Sequence, residues 1–299
     1  MKPLVVPVPC NLLEFLFEQL PEVKRTRLRQ QLKFGAIEVN GVVARRHDHA
    51  LKPGDSVRLV PLREVKSQSL PELAPGLRLL HVDEDLIAIE KPAGLLSVAT
   101  DPLSAAPTAY RLVTQWCRDQ ARSGKARVWI VHRLDRETSG VLLMARTEPV
   151  KLQLQAQWSE FRKHYVAVVE GVVREAQGVL SGFIDESQPH RVYWHDRQVG
   201  GARPARTDYQ VLKVGAGYTL LDLRLHTGRR HQIRAQLAQV GWPVVGDERY
   251  GAKTDGISRL ALHAASLEFP HPRSGQPVRL KSPVPASFSR LLGSAGLAD

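Results

Sequence analysis

The chain predicts an α+β fold: a mixed, largely antiparallel sheet with flanking helices, preceded by a small separate α/β unit. Three observations carry this. Strand and helix signals intermix over most of the 299 residues without the strict β-α-β rhythm of a doubly wound sheet. The first 62 residues hold a self-contained pattern of two helices and a hairpin. Residues 63–76, with Pro71, Pro75 and Gly76 among polar neighbours, read as a linker. The expected division is therefore 1–62, a linker at 63–76, and a main domain at 77–299.

In order along the chain, Leu12, Leu13, Phe15, Leu16 and Leu20 recur at helical spacing, so residues 11–20 form an amphipathic helix that Pro21 ends. A second helix covers 24–34. Leu28 and Leu32 point inward, Lys24, Arg25, Arg27, Arg29 and Lys33 take the other positions, and Gly35 stops it. Residues 36–39 alternate as a strand, Asn40-Gly41 makes a tight turn, and Val42-Val43 returns. Lys52-Pro53-Gly54-Asp55 is a further turn before a strand at 56–60. In the main domain, 77–82 and 86–89 read as paired strands around an acidic turn, and Lys91-Pro92-Ala93-Gly94 closes the second. Helices are expected at 107–123, 151–159 and 231–240, and strands at 165–169, 209–214, 220–225 and 259–262. The polar stretch 181–206 reads as a variable loop or loose hairpin.

Composition narrows the function classes. Apolar residues make up 43% of the chain, ordinary for a protein with a core, and no apolar run approaches the roughly 20 residues of a bilayer span. Residues 1–10 are too short an apolar segment for a secretory signal. Two distant cysteines, Cys10 and Cys117, argue against a disulfide framework or a cysteine zinc site and fit a reducing cytoplasm. The formal net charge of +12 calls for an anionic partner, with nucleic acid as the first reading. In residues 1–60 the excess is mild, ten Lys/Arg against six Asp/Glu, but five of the ten cluster within residues 24–33.

One stretch concentrates chemistry: Val131-His132-Arg133-Leu134-Asp135-Arg136-Glu137-Thr138-Ser139-Gly140, a polar knot between apolar runs at 128–131 and 141–145. A lone aspartate after a strand is usually a turn residue; its setting decides here. Other polar or special-backbone segments are Lys91-Pro92-Ala93-Gly94, Lys163-His164-Tyr165-Val166-Ala167, His226-Thr227-Gly228-Arg229-Arg230-His231-Gln232-Ile233-Arg234, and Gly241-Trp242-Pro243-Val244-Val245-Gly246-Asp247 with Tyr250-Gly251. No His-Glu-x-x-His or Cys-x-x-Cys spacing appears, so no metal is expected.

In this order, and with Leu262-His263-Ala264 and Phe269-Pro270 near the end, these segments resemble the RluA family of pseudouridine synthases from about Leu77 to Ser282. The basic second helix, the Val39-Asn40-Gly41 turn and Pro53-Gly54-Asp55 resemble an S4-type RNA-binding domain. The resemblance implies isomerisation of a uridine in structured RNA, ribosomal RNA ahead of transfer RNA, with no cofactor; a cytoplasmic monomer with no obligate protein partner is expected. It makes Asp135 the catalytic aspartate, Arg234 its ion-pair partner, and Tyr165 a ring over the target base that could later help to remove the C5 proton. Arg133 would hold the space left by the flipped nucleotide. Lys163, Arg229 and Arg230 would grip phosphates, and Lys24, Arg25, Arg27, Arg29 and Lys33 would face RNA. His132, His231 and His263 read as structural hydrogen-bonders. Arg230 stands where the family usually has threonine, Leu95 follows Gly94 where histidine is frequent, and Gln236 takes another frequent histidine position.

Three other readings compete. A kinase fails for want of a glycine-rich loop and an Asp-Phe-Gly motif. A non-catalytic RNA chaperone or ribosome-assembly factor would share the charge but need not keep Asp135, Tyr165 and Arg234. A hydrolytic glycosylase wants a second carboxylate to activate water, and Glu137 is the only one nearby in sequence.

Overall fold

The structure is a computed structural model that describes residues 3–33, 36–44, 46–60, 71–99, 101, 105–121, 126–189, 191–253 and 256–293; the side chains of Gln30 and Lys33 lie outside that set, as do Gly35 and the linker stretch 61–70. The chain divides into two compact units, Met1–Leu70 and Pro71–Asp299.

In the first unit the strands β1 (Leu4–Val5), β2 (Cys10–Asn11), β3 (Ile37–Val39), β4 (Val42–Val43), β5 (Ala50–Leu51) and β6 (Ser56–Leu59) accompany helices α1 (Leu12–Gln19) and α2 (Arg25–Lys33). Four strands pair in the order β1-β6-β3-β4, and β2 pairs β5. The helical spacing read from the sequence places Leu12, Phe15 and Leu16 of α1 and Leu28 and Leu32 of α2 in one core with Ile37 and Val57. Asn40 and Gly41 take positive φ (51° and 80°), as a type I′ turn demands. Asn40 also binds the second turn: its amide donates to Asp55 Oδ1 at 2.8 Å and its oxygen accepts from the Ser56 amide. The two-residue strands β1, β2 and β5 escape sequence reading because alternation needs more residues to show.

The second unit is one 12-stranded sheet flanked by helices. Its strands are β7 (Glu72–Ala74), β8 (Leu77–Val82), β9 (Leu86–Lys91), β10 (Trp129–Ile130), β11 (Ser139–Ala145), β12 (Arg162–Glu170), β13 (Gln177–Asp185), β14 (Tyr193–His195), β15 (Arg203–Gly215), β16 (Tyr218–Leu225), β17 (Leu262–Pro270) and β18 (Pro277–Lys281). The helices are α3 (Ala109–Gln120), α4 (Glu148–Ala156), α5 (Gln232–Gln239) and α6 (Ala286–Leu291). The order runs β14-β13-β15-β16-β12-β17-β11-β9-β8-β7, with β10 on β11 and β18 on β17. Alternation assigns the faces. Ile87 and Ile89 pack with Ala109 and Val113 of α3, while Leu86 and Ala88 pack with Leu154 of α4. With both faces covered, every residue of β11 is buried. Ile233 and Leu237 of α5 pack on Val166, Val168, Leu221 and Leu223.

Three expectations need correction, and a fourth is decided between its two alternatives. Glu72–Ala74, inside the expected linker, is an edge strand paired to β8. The helix expected at 151–159 starts at Glu148, because Thr147 accepts from the Val150 amide and Pro149 needs no amide partner in the first turn. The strand expected at 259–262 begins only at Leu262, with Arg259 turned back onto the Leu260 carbonyl. In the polar stretch 181–206, of the two expected forms, loop or hairpin, the hairpin is found: β13 and β15 pair from Gln177↔Gln210 to Ile184↔Arg203, and β14 returns to pair with β13. One of its faces buries Leu180, Ile184, Ala205 and Tyr209, while its polar residues occupy the solvent face.

Every pairing in this sheet is antiparallel except the short parallel contact of β11 with β17, Ser139↔His263 and Gly140↔Ala264. Gly140 has φ 114°, and a β-carbon there would lie 2.2 Å from the Ala264 carbonyl oxygen. Both the conformation and the approach require glycine. Gly140→Ala should therefore lower stability by about 2 kcal/mol or more, measurable as a fall in thermal unfolding temperature, whereas Gly217→Ala, where a β-carbon meets nothing within 4 Å, should cost less.

Candidate active site

The segment from His132 to Thr138 enters the buried strand β11, and its backbone is fastened on both sides of Asp135. Ser97 Oγ donates to the Leu134 carbonyl at 2.7 Å and accepts from the Leu134 amide. Lys91, wholly buried, donates to the carbonyls of Pro92, Leu95 and Arg136 at 2.7–3.0 Å. Arg136 Nε returns a bond to the Gly94 carbonyl. Burial pulls Lys91 down to about 7, but three carbonyl acceptors match the three protons of the ammonium form and oppose its loss. Thus Lys91-Pro92-Ala93-Gly94 is the strut beneath the aspartate loop. His132 Nε2 accepts the Leu143 amide at 3.0 Å, and its ring stacks on Trp158 at 4.7 Å.

Asp135 faces a pocket of about 450 Å³, a volume typical of small-molecule and nucleotide-sized sites. Arg133, Tyr165, Lys163, Arg229, Arg230 and Arg234 line it as well. Arg234 arrives from the first turn of α5. Its Nη1 donates to Asp135 Oδ2 at 3.2 Å, while Nε and Nη2 make a bidentate pair with Asp247 at 2.6 and 2.7 Å. The Arg234 side chain is 9% exposed and that of Asp247 only 1%. Burial alone would lower the guanidinium, but the hydrogen bonds and charge of Asp247, then of Asp135, more than reverse this and raise it. Gly246 positions Asp247: its φ of 77° and the Arg259 carbonyl 2.3 Å from any added β-carbon exclude a side chain.

Tyr165 sits at the β12 irregularity between His164 and Tyr165. Burial, and secondarily the charge of Asp135, raise its phenol well above the usual value. Arg133 is exposed at the pocket rim. Two expected phosphate grips are placed otherwise. Lys163 is 3% exposed, donates to the Trp158 carbonyl at 2.9 Å and lies over that ring; burial, then Arg224, pull it down to about 8. Arg230 spends its guanidinium on the carbonyls of Glu186, Gln188 and Pro189, fastening that loop to the pocket. Arg229 keeps a half-buried place with Nε on the Pro204 carbonyl.

Asp247 and Tyr250 were not among the residues expected at the site. The available signal was a carboxylate thirteen residues beyond Arg234 in a glycine-flanked segment, but pairing it needed the fold. His231, expected to be structural, lies with Nε2 3.7 Å from Asp135 Oδ2. Away from the pocket, Asp83, Asp85 and His271 form the one group with metal-ligand proximity among the described residues. His271 Nδ1 accepts the amides of Arg273 and Ser274, so Nε2 carries the ring proton and donates to Asp83. That arrangement clasps two turns together rather than offering a free ligand.

Residues 85–239, which carry the whole loop around Asp135 and reach through Arg234, match the family described as RNA pseudouridylate synthase. The chain belongs to this family. It is a pseudouridine synthase that acts on RNA. The synthase is 35% identical over 295 residues to ribosomal large subunit pseudouridine synthase D of Xanthomonas campestris, covering 93% of this chain and 87% of that protein. A protein of the same name from Nitrosomonas europaea is 35% identical over 301 residues, covering 95% and 86%. The solved structure of human RNA pseudouridylate synthase domain containing 4 superposes with a TM-score of 0.59 at 23% identity, over 78% of this chain and 94% of that one, and shows the shared fold.

Two histidines next to the site stay neutral by burial. His132 is held down to about 3, with Lys163 adding to burial, and His263 to about 4, with Ser139 and the Ser282 carbonyl as partners. Both lie below the ordinary value of about 6.5, so from there downward the unfolded chain binds protons that the folded one refuses. Stability should be complete above about pH 6.5 and fall toward pH 4 by about 1 kcal/mol per pH unit for each histidine. His132→Gln, which keeps an acceptor for the Leu143 amide, should make this acid limb of thermal unfolding shallower.

Proposed function

We propose that Asp135 is the catalytic carboxylate of this synthase and that its substrate is ribosomal RNA. The observation that carries the first part is the Asp135–Arg234–Asp247 array at the floor of the pocket. One aspartate, 21% exposed, is held toward the cavity by a guanidinium that a second aspartate fixes in place. Conversion of uridine to pseudouridine breaks the N-glycosidic bond, turns the base and joins C5 to C1′, with a proton lost from C5. An ionised carboxylate beside the sugar serves either as nucleophile at C1′ or as base toward a sugar proton. Arg234 sets the direction of that carboxylate through its Nη1 donor. Hydrolysis would need another carboxylate free to activate water. Glu186 lines the pocket but is engaged by Arg203 at 2.5 Å and by the Arg230 amide, and Glu137 is half exposed beside Arg136.

The target base must leave its stack to reach this depth. Arg133 on the rim is placed to fill the vacated position, and Tyr165 offers a ring for the flipped base. With its phenol held protonated, Tyr165 suits stacking and edge contact rather than removal of the C5 proton.

Ribosomal RNA is favoured over transfer RNA by the similarity to the two bacterial relatives, both ribosomal large subunit pseudouridine synthases. The first unit supports the same reading. Lys24, just before α2, and Arg25, Arg27 and Arg29 on it are exposed while Leu28 and Leu32 are buried, which suits an S4-type unit presenting the cationic surface of this helix to RNA. Arg25 and Arg29 both lie over the Phe17 ring, at 5.1 and 5.4 Å.

Asp135→Asn should keep RNA binding and abolish tritium release from RNA carrying C5-tritiated uridine; full activity in that variant would end the proposal. Reversing charge with Arg25→Glu, Arg27→Glu and Arg29→Glu should raise the RNA concentration needed for half-saturation by at least about tenfold at moderate salt and flatten its salt dependence. Single-turnover chemistry at saturating RNA should be unchanged.

A further inference from the structure

His231 is the residue just before α5, and it adopts φ 51° and ψ 21°, a left-handed conformation that a β-carbon disfavours. That conformation turns the imidazole between two partners. Nδ1 lies 3.0 Å from the Tyr250 hydroxyl, and Nε2 lies 3.7 Å from Asp135 Oδ2. The Tyr250 hydroxyl already accepts the Val192 amide at 3.1 Å. Its ring lies against the Arg234 guanidinium at 5.0 Å, so the same tyrosine touches both groups that face the aspartate.

Counting protons fixes the arrangement. Burial disfavours the imidazolium, so the ring carries one proton. Were it on Nδ1, the Tyr250 oxygen would receive two donors, its own proton would lose this partner, and Nε2 would point a lone pair at a carboxylate. With the proton on Nε2, the Tyr250 hydroxyl donates to Nδ1 and the ring N–H faces Asp135. Arg234 Nη1 also reaches Oδ2, whereas Oδ1 accepts no hydrogen bond among the described residues.

We infer that Tyr250 and His231 are positioning residues for the isomerisation: Tyr250 sets the imidazole tautomer, and the His231 Nε2–H joins Arg234 on Asp135 Oδ2, leaving Oδ1 as the oxygen presented to the sugar. The inference rests on the reading of Asp135 as the catalytic carboxylate. The 3.7 Å separation closes to a hydrogen bond when the nucleotide fills the pocket, as such contacts do between free and occupied enzyme forms.

The test uses two amides of different reach in the full-length chain. A glutamine amide extends to the place of Nε2; an asparagine amide reaches only that of Nδ1. Asparagine, however, is the better residue for the left-handed backbone. Single-turnover tritium release is measured at saturating concentrations of a large-subunit ribosomal RNA transcript carrying C5-tritiated uridine, with filter binding for affinity and thermal unfolding for stability. His231→Gln should stay within about threefold of the parent, and His231→Asn should be slower by about tenfold or more, although at least as stable. Tyr250→Phe should be slower by about two- to tenfold. RNA affinity should be unchanged in all three. Equal rates for the glutamine and asparagine variants, or a loss confined to RNA affinity, would overturn the inference. Tritium release by Asp135→Asn would instead overturn the reading of Asp135 itself; an inactive Asp135→Asn beside equal His231 variants would leave that reading standing and remove only the positioning role.

Discussion

The site depends on one buried guanidinium shared between two carboxylates. Arg234 gives two of its nitrogens to Asp247 and a third to Asp135. A buried charge pair is costly unless its geometry is good and its remaining donors are satisfied. Asp247 meets that cost on the closed side, which frees Nη1 to work on the open side. Glycine at 246 lets the chain bring Asp247 close, and the packing of Ile233 and Leu237 on the sheet fixes the helix that carries Arg234. Removal of either carboxylate would change what the other experiences.

The opposite wall shows the same division between fastening and chemistry. Lys91, Ser97 and Arg136 secure the backbone around Asp135 without touching its carboxylate. A loop placed so firmly has little conformational freedom left to lose when RNA arrives, and that is the physical content of preorganisation. The cationic face is therefore smaller than the sequence suggests. Of the pocket's basic residues, Arg229, Arg230 and Lys163 bond the protein's own carbonyls, the exposed Arg203 pairs with Glu186, and Arg133 stands exposed at the rim.

Much of the fold was legible because its signals are local. The helices α1, α2, α3 and α5 followed from apolar spacing, and the Asn40-Gly41 hairpin from turn chemistry. The hairpin from β13 to β15 was obscured because its solvent face supplies most of the polar residues that suggested a loop. In the site, Asp135 and Arg234 stood out through the motifs that contain them, and the structure brings them within hydrogen-bond distance. Asp247 and Tyr250 did not stand out, since their meaning lies in what they touch, and no spacing rule encodes a contact made through a turn. For Lys163 and Arg230 the sequence showed a basic residue in a cationic segment but not the protein carbonyls that each also bonds, because those contacts depend on the fold.

The parallel seam between β11 and β17 also bears on how the chain folds. Its two residue pairs join positions 124 apart in sequence, and the Asp135–Arg234 contact spans 99. Contacts of such separation form late, because closing long loops costs entropy before any bond repays it. Strand pairings in the first unit span at most 53 positions, Leu4↔Val57. During synthesis the first unit, with its exposed arginines, can therefore form before the long-range contacts that assemble the pocket of the second.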